Sequence, residues 1–348
     1  MKVADRKASP GDEIADAVGS SVFRFADPCS PVKAAVRLLL RRRRSWRAAD
    51  SGKRLGKVRH ALYREQSDPE LDIVMWKPLT PRHAIDTMAM VVTFGEPLSS
   101  LVFRRIIREL EPTTFSKGLN NRQPMQTVSM NFSPTGPQIK PSVAPGMQFQ
   151  KLSLVRVNEE MVANKVVEEL IFDPTHILYR NMNYSRWENV SGTYWDMCSD
   201  ALRAIIENVP IITIRLEYLD RFVFEGDLAK ATARGLIKEG SSLVAPHIFD
   251  LTELWHSHTG KLEKTDGENL RLYQVNVDMV DMANADSSAT RSIQIISAVE
   301  ERYAGSGMEG GTTNSLRVIF DDLHERVKEL FKSIVDAKLL AAVGLKNG

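Results

Sequence analysis

Residues 211–224, IITIRLEYLDRFVF, alternate side-chain character over fourteen positions. A strand throws successive side chains to opposite faces. Ile212, Ile214, Leu216, Tyr218, Phe222 and Phe224 therefore share one apolar face, while Thr213, Arg215, Glu217 and Arg221 lie on the other. One residue breaks the apolar row: Asp220 stands between Tyr218 and Phe222. A carboxyl on a buried face needs a partner. Asp220 is therefore the candidate catalytic acid or ligand of the chain. Its structural alternatives are a strand end, a bulge, or a pair with Arg221 or Arg180. Arg215, Glu217 and Arg221 read as a solvated cross-strand charge ladder.

Other segments repeat the strand signal. These are 84–94, 125–132, 147–157, 254–264, 269–282 and 291–303, with two further strands in VVEELIFDPTHILYRNMNY joined at Asp173-Pro174. Helical spacing appears in three places. Leu98, Val102, Ile106 and Leu110 mark a helix at 98–111. Thr193 and Asp196 have the spacing that caps a helix start, which predicts a helix over 193–208. Leu316, Phe320, Leu323, Val327, Leu330, Phe331 and Ile334 line one face of a helix over 315–341. Strands outnumber helices and come in runs, so the fold class is α+β with a largely antiparallel sheet. Strand–helix–strand recurs at 84–132 and 175–224, which suggests a duplicated unit. The segment SPTGPQIKPSVAPG, 133–146, with its prolines and glycines, reads as a loop.

Charge divides the chain. Residues 1–74 hold 16 Lys and Arg against 10 Asp and Glu, an excess of +6; the remainder holds 30 against 34, or −4. The first segment has few apolar residues and reads as a basic, disordered extension. Met75, just before the first patterned strand, is the expected start of a single domain over 75–348, and residues 1–74 need not belong to the natural protein. Arg41, Arg42, Arg43 and Arg44 can neutralise phosphates, but no recognition module stands beside them. The body has the wrong sign for a large nucleic-acid surface.

The stretches TYWDMCSDALRAIIENVPIITIRLEYLDRFVF, VIFDDLHERVKELFKSIV and PRHAIDTMAMVVTFGEPL together resemble a sporadically distributed bacterial and archaeal protein family of unknown function. The resemblance covers about 80–345 and implies no reaction. Glu217 and Asp220 stand where that family usually carries Arg and Asn.

The remaining motifs point to weaker sites. WHSHTG sets His256 and His258 on one side of a strand, about 7 Å apart. That spacing suits two ligands of one metal, with Asp278 or His247 as the third. GSGMEGG, 305–311, matches G-x-G-x-x-G through Gly305, Gly307 and Gly310, but no second parallel strand follows it. It reads as a strand–helix loop, with an anion contact near Thr312–Asn314 as the alternative. No G-x-x-x-x-G-K-[ST] or G-x-S-x-G motif occurs. His324 flanks the apolar face of the last helix and reads as a packing or capping residue. Trp187, Tyr194 and Trp195 read as core aromatics, with a stacking platform as the alternative.

Two cysteines, Cys29 and Cys198, give no disulfide framework, and no stretch matches a membrane span. The expectation is a cytoplasmic protein with no cofactor. Its expected role is that of a non-catalytic binding or regulatory module acting through a protein partner or self-association. The alternatives are a metal-dependent enzyme at His256 and His258, and nucleic-acid binding by the arginines.

Overall fold

The computed structural model describes residues 75–126, 129–133, 136–140, 145–156, 162–283, 289–305, 307–308 and 311–345. The chain divides into two units, Met1–Asp68 and Pro69–Gly348. All described residues belong to the second. Arg41–Arg44 and the expected disorder of 1–74 lie outside them.

The second unit is α+β. Its strands are β1 (Trp76–Pro78), β2 (Ile85–Phe94), β3 (Asn121–Gln126), β4 (Ser129–Ser133), β5 (Gly136–Lys140), β6 (Pro145–Arg156), β7 (Val162–Phe172), β8 (His176–Asn181), β9 (Ile211–Phe224), β10 (His256–Lys264), β11 (Leu270–Ala283) and β12 (Ala289–Arg302). Its helices are α1 (Ser100–Ser116), α2 (Trp187–Ile206), α3 (Thr313–Lys332) and the short α4 (Ala337–Ala342).

Ten strands form one sheet in the order β10–β11–β12–β9–β2–β8–β7–β6–β3, with β1 extending the partner row along β9. Every pairing is antiparallel. Four strands flank β2 on each side. One flank is the sequential meander β3–β6–β7–β8. The other is entered at β9, leaves for the far edge at β10, and returns through β11 and β12. The flanks thus match in strand number and differ in connection. The ribbon β4–β5 stands apart as a two-stranded sheet, which corrects the expectation of an unbroken loop over 133–146. Pro137 pairs with Phe132 inside this ribbon and Pro145 opens β6 opposite Gln126; an edge strand and a strand start are the places that tolerate a residue without an N–H.

One face of the sheet carries the core. Met88, Met90 and Val92 of β2, Leu216 and Phe222 of β9, and Ile293, Ile295 and Val299 of β12 are all buried. The helices bring Phe103, Ile106 and Leu110 (α1), Tyr194, Cys198 and Leu202 (α2) and Phe320, Leu323 and Phe331 (α3) into the same cluster. The opposite face is polar. Arg215 reaches Glu217 (2.6 Å), Gln274 (3.2 Å) and Glu300 (3.4 Å) there, the charge ladder read from the alternation of β9.

Helix bounds differ from the periodicity in three places. The first helix runs on through Pro112 to Ser116. The middle helix starts at Trp187, six residues before the Thr193–Asp196 spacing. Inside that helix Thr193 Oγ1 donates to Asn189 O (2.9 Å), and Asp196 takes Lys117 Nζ (2.7 Å). The last helix ends at Lys332 instead of running to 341. Residues 334–336 are drawn out of it by Lys238 N–H to Ile334 O (2.7 Å) and Asp336 N–H to Leu236 O (2.8 Å). Asp336 then caps α4 by accepting from Lys338 N.

Candidate functional site

The sheet register lines up a row of side chains on the helix-covered face. Glu168 pairs with Asn181, Asn181 with Met88, Met88 with Tyr218, and Tyr218 with Ser297. Four of these five are polar, in a face that is otherwise apolar. Asp220 lies two residues further along β9, opposite Ile85 of β2 and Ile295 of β12. The pairing of β9 changes at that level. The β2 register shifts between Ile85 and Thr87, and beyond it the segment 79–84 arches away before β1 takes over beside Phe222–Phe224. A cavity of about 1700 Å³ opens over this part of the sheet. Its floor includes Glu168, Asn181, Tyr218 and Asp220. Its walls come from 79–86, the turn 182–186, the start of α2, the middle of α3 and residues 341–345.

The polar groups of the floor are bound to neighbouring side chains, with one exception. Glu168 takes Lys151 Nζ (2.9 Å) and the Tyr179 hydroxyl (3.0 Å), and Asn181 Nδ2 donates to Tyr179 (3.1 Å). The Tyr218 hydroxyl lies 2.9 Å from His324 Nδ1. The Trp187 indole stacks flat on the His324 imidazole, with centroids 4.6 Å apart and planes at 7°. Its Nε1–H donates to Asp321 (2.8 Å), which fixes the first turn of α2 against α3. The Tyr184 ring meets both Tyr218 and His83 edge-on at 5.7 Å.

The exception is Asp220. It is 6% exposed, it borders the cavity, and no hydrogen bond or ion pair reaches its carboxyl among the described residues. Neither structural partner suggested by the sequence is available. Arg221 pairs with Asp86 (2.9 Å) and Arg180 with Glu169 (3.0 Å). Burial alone pushes the Asp220 carboxyl up to about 8, because removing a carboxylate from water without a compensating charge favours the protonated form. Burial also pulls His324 down to about 4 and pushes Tyr184 up to about 12 and Tyr218 well above its ordinary value. At neutral pH Asp220, Tyr184, Tyr218 and His324 are all uncharged. His83 Nδ1, in the same wall, is buried without a partner among the described residues.

No family model matches this chain, and no curated protein matches it.

The other sequence candidates lie elsewhere. His256 and His258 do project side by side, with ring centroids 5.2 Å apart, and Asp278 lies opposite on β11. His258 Nε2 is 3.0 Å from Asp278 Oδ1, an exposed pair. Among the described residues no group of three or more His, Cys, Asp or Glu is placed to hold a metal ion. His247 sits in the 3-10 turn Pro246–Asp250. Gly307 has a backbone reason for its place in the glycine motif. Its φ is +88°, and a Cβ there would lie 2.6 Å from Ile211 O. Met308 N–H then bonds Ile211 O (2.8 Å), tying the loop to the start of β9. Gly310 lies outside the described residues. At the helix start Thr312 accepts from Ser315 N (3.1 Å), and Ser315 Oγ from Thr312 N (3.4 Å). This reciprocal cap satisfies donors that an anion would otherwise seek. Among the described residues no helix is long and apolar enough to cross a membrane.

Tyr184, His83, Glu168 and Asn181 went unseen in the sequence. Their signal is positional: Glu168 and Asn181 pair across β7 and β8, and β2 sets that pair in one row with Tyr218 of β9.

Proposed function

We propose that this protein is a non-catalytic binding module whose ligand sits in the cavity floored by Tyr218 and Asp220. As in the reading from sequence, the bound state acts through a protein partner or self-association. The observation that carries the proposal is the unpartnered Asp220 carboxyl facing a large cavity with aromatic walls. A concave, mostly preformed site with a few convergent polar groups is the usual form of a small-molecule site. His324 has its Nδ1 engaged with Tyr218 and is held neutral by burial, which suits a fixed wall of a binding site.

The test is a thermal-shift screen of the full chain with a mixed panel of amines, carboxylic acids, sugars and nucleosides. A ligand at a hundred times its Kd adds about 2.7 kcal/mol, a rise of several degrees in Tm. Asn189 lines the cavity and is exposed, so Asn189→Trp narrows the mouth without touching the core. A true ligand shifts wild type and loses that shift in Asn189→Trp. If no member of the panel shifts Tm, or if every shift survives in Asn189→Trp, the proposal fails.

A further inference from the structure

We infer that the ligand of this cavity carries a protonated amine, with the Asp220 carboxylate as its counter-ion and the Tyr184 and Tyr218 rings beside it. The inference rests on the cavity being a binding site and adds the chemical class of what it holds.

Two observations converge on a cation. First, an acid has been kept on an apolar sheet face without an ion pair to any cation of the protein among the described residues. Arg82, Lys165, Arg186 and Lys328 line the cavity, yet none pairs with Asp220. Lys328 is bound to Glu325 (2.8 Å) instead. Removing a partner from a buried charge is costly, so the missing cation is supplied from outside or the carboxyl stays protonated. Second, the aromatic groups suit a cation. Tyr184 and Tyr218 lie edge to face at 5.7 Å beside the carboxyl, and an ammonium over a tyrosine ring gains from the ring quadrupole.

Binding is coupled to a proton. The titratable and charged groups that line the cavity with Asp220 are Tyr218 on its own strand, Lys165 and Glu168 on β7, Tyr184 from the turn before α2, Arg186 and Glu188 at the start of α2, Arg82, His83 and Asp86 from 79–86, and His324 and Lys328 on α3. Below about pH 8 the free carboxyl holds a proton. An ammonium ligand favours the carboxylate, so its binding expels that proton to solvent. Proton release approaches one per ligand at pH 7 and fades as pH rises past 8.

The test uses one scaffold in three charge states: tyramine, its alcohol counterpart tyrosol, and 4-hydroxyphenylacetate. Spermidine serves as an unrelated amine. Titration calorimetry of the full chain is run at pH 7 in two buffers of different ionisation enthalpy. An amine is expected to bind at least tenfold more tightly than tyrosol and the acid. It is expected to release close to one proton, and to lose its advantage in Asp220→Asn while that variant keeps the wild-type Tm or exceeds it. Equal binding of tyrosol or the acid, an amine preference unchanged in Asp220→Asn, or no binding by either amine overturns the inference. If the mixed panel still yields a ligand that Asn189→Trp excludes, the binding module stands and only its cationic specificity falls. If the panel yields none, both fall.

Discussion

Tyr218 and Asp220 stand two residues apart on β9 and face the same cavity. The Tyr218 hydroxyl is 2.9 Å from His324 Nδ1, while the Asp220 carboxyl meets no partner among the described residues. Two neighbouring polar groups on one buried face have thus been given opposite treatment. One is locked into the scaffold and the other is left open to the cavity. The thermodynamic consequence is measurable without knowing the ligand.

Asp220→Asn should stabilise the protein, and increasingly so with pH. The folded carboxyl titrates at about 8, against about 3.9 in the unfolded chain. Between those values the folded state holds the proton and the unfolded state has lost it, so wild-type stability falls as pH rises from 4 to 8. The amide cannot ionise. In urea unfolding the two proteins should coincide near pH 4 and separate by roughly 2–5 kcal/mol at pH 8. A constant gap across that range contradicts the buried neutral acid.

His324 should show the opposite trend. Its folded value of about 4 lies below the unfolded value of about 6.5. The stability it contributes is present above pH 6.5 and is lost as pH falls towards 4, because the unfolded chain takes up the proton first. His324→Asn keeps an acceptor for the Tyr218 hydroxyl and removes the titration. The advantage of wild type over this variant should shrink by ~2 kcal/mol between pH 6.5 and 4.

Two glycines of the 305–311 motif, Gly305 and Gly307, should behave differently. Gly307→Ala places a Cβ against Ile211 O at a left-handed φ, and should cost at least ~2 kcal/mol in chemical denaturation. Gly305 has φ +61° and open space around it, so Gly305→Ala should cost about 1 kcal/mol. Equal, negligible effects would mean that the loop is not held by β9.

Asp278→Asn should change stability by less than ~1 kcal/mol, because His258 and Asp278 form an exposed pair of the kind that contributes little. Equimolar zinc should leave Tm unchanged. A zinc-dependent rise that disappears in His258→Ala would restore the metal reading of His256, His258 and Asp278.

How much of this was legible beforehand follows from what each element depends on. Strand β9 was readable from end to end because its alternation is uninterrupted, and the misfit of Asp220 was readable with it. The start of α2 was not. Arg186 provides no side-chain cap, and the first turn is held by Trp187 through Asp321 and His324, residues more than 130 positions away. The capping spacing at Thr193 was locally plausible, but the chain was already helical there. The break after Lys332 has no local signal either, since Leu236 and Lys238 impose it from a distant crossover. The cavity was invisible for a related reason. Alternation tells which face a side chain takes, but not that β2 separates β8 from β9 and brings Glu168, Asn181 and Tyr218 into one row.

The most direct measurement is the titration of the Asp220 carboxyl carbon by NMR in protein labelled at aspartate, assigned by its loss in Asp220→Asn. The expected midpoint is near 8 in the free protein and lower by a unit or more when the cavity is saturated with an amine. A midpoint in the ordinary carboxylate range, or one unmoved by a saturating amine, would contradict it.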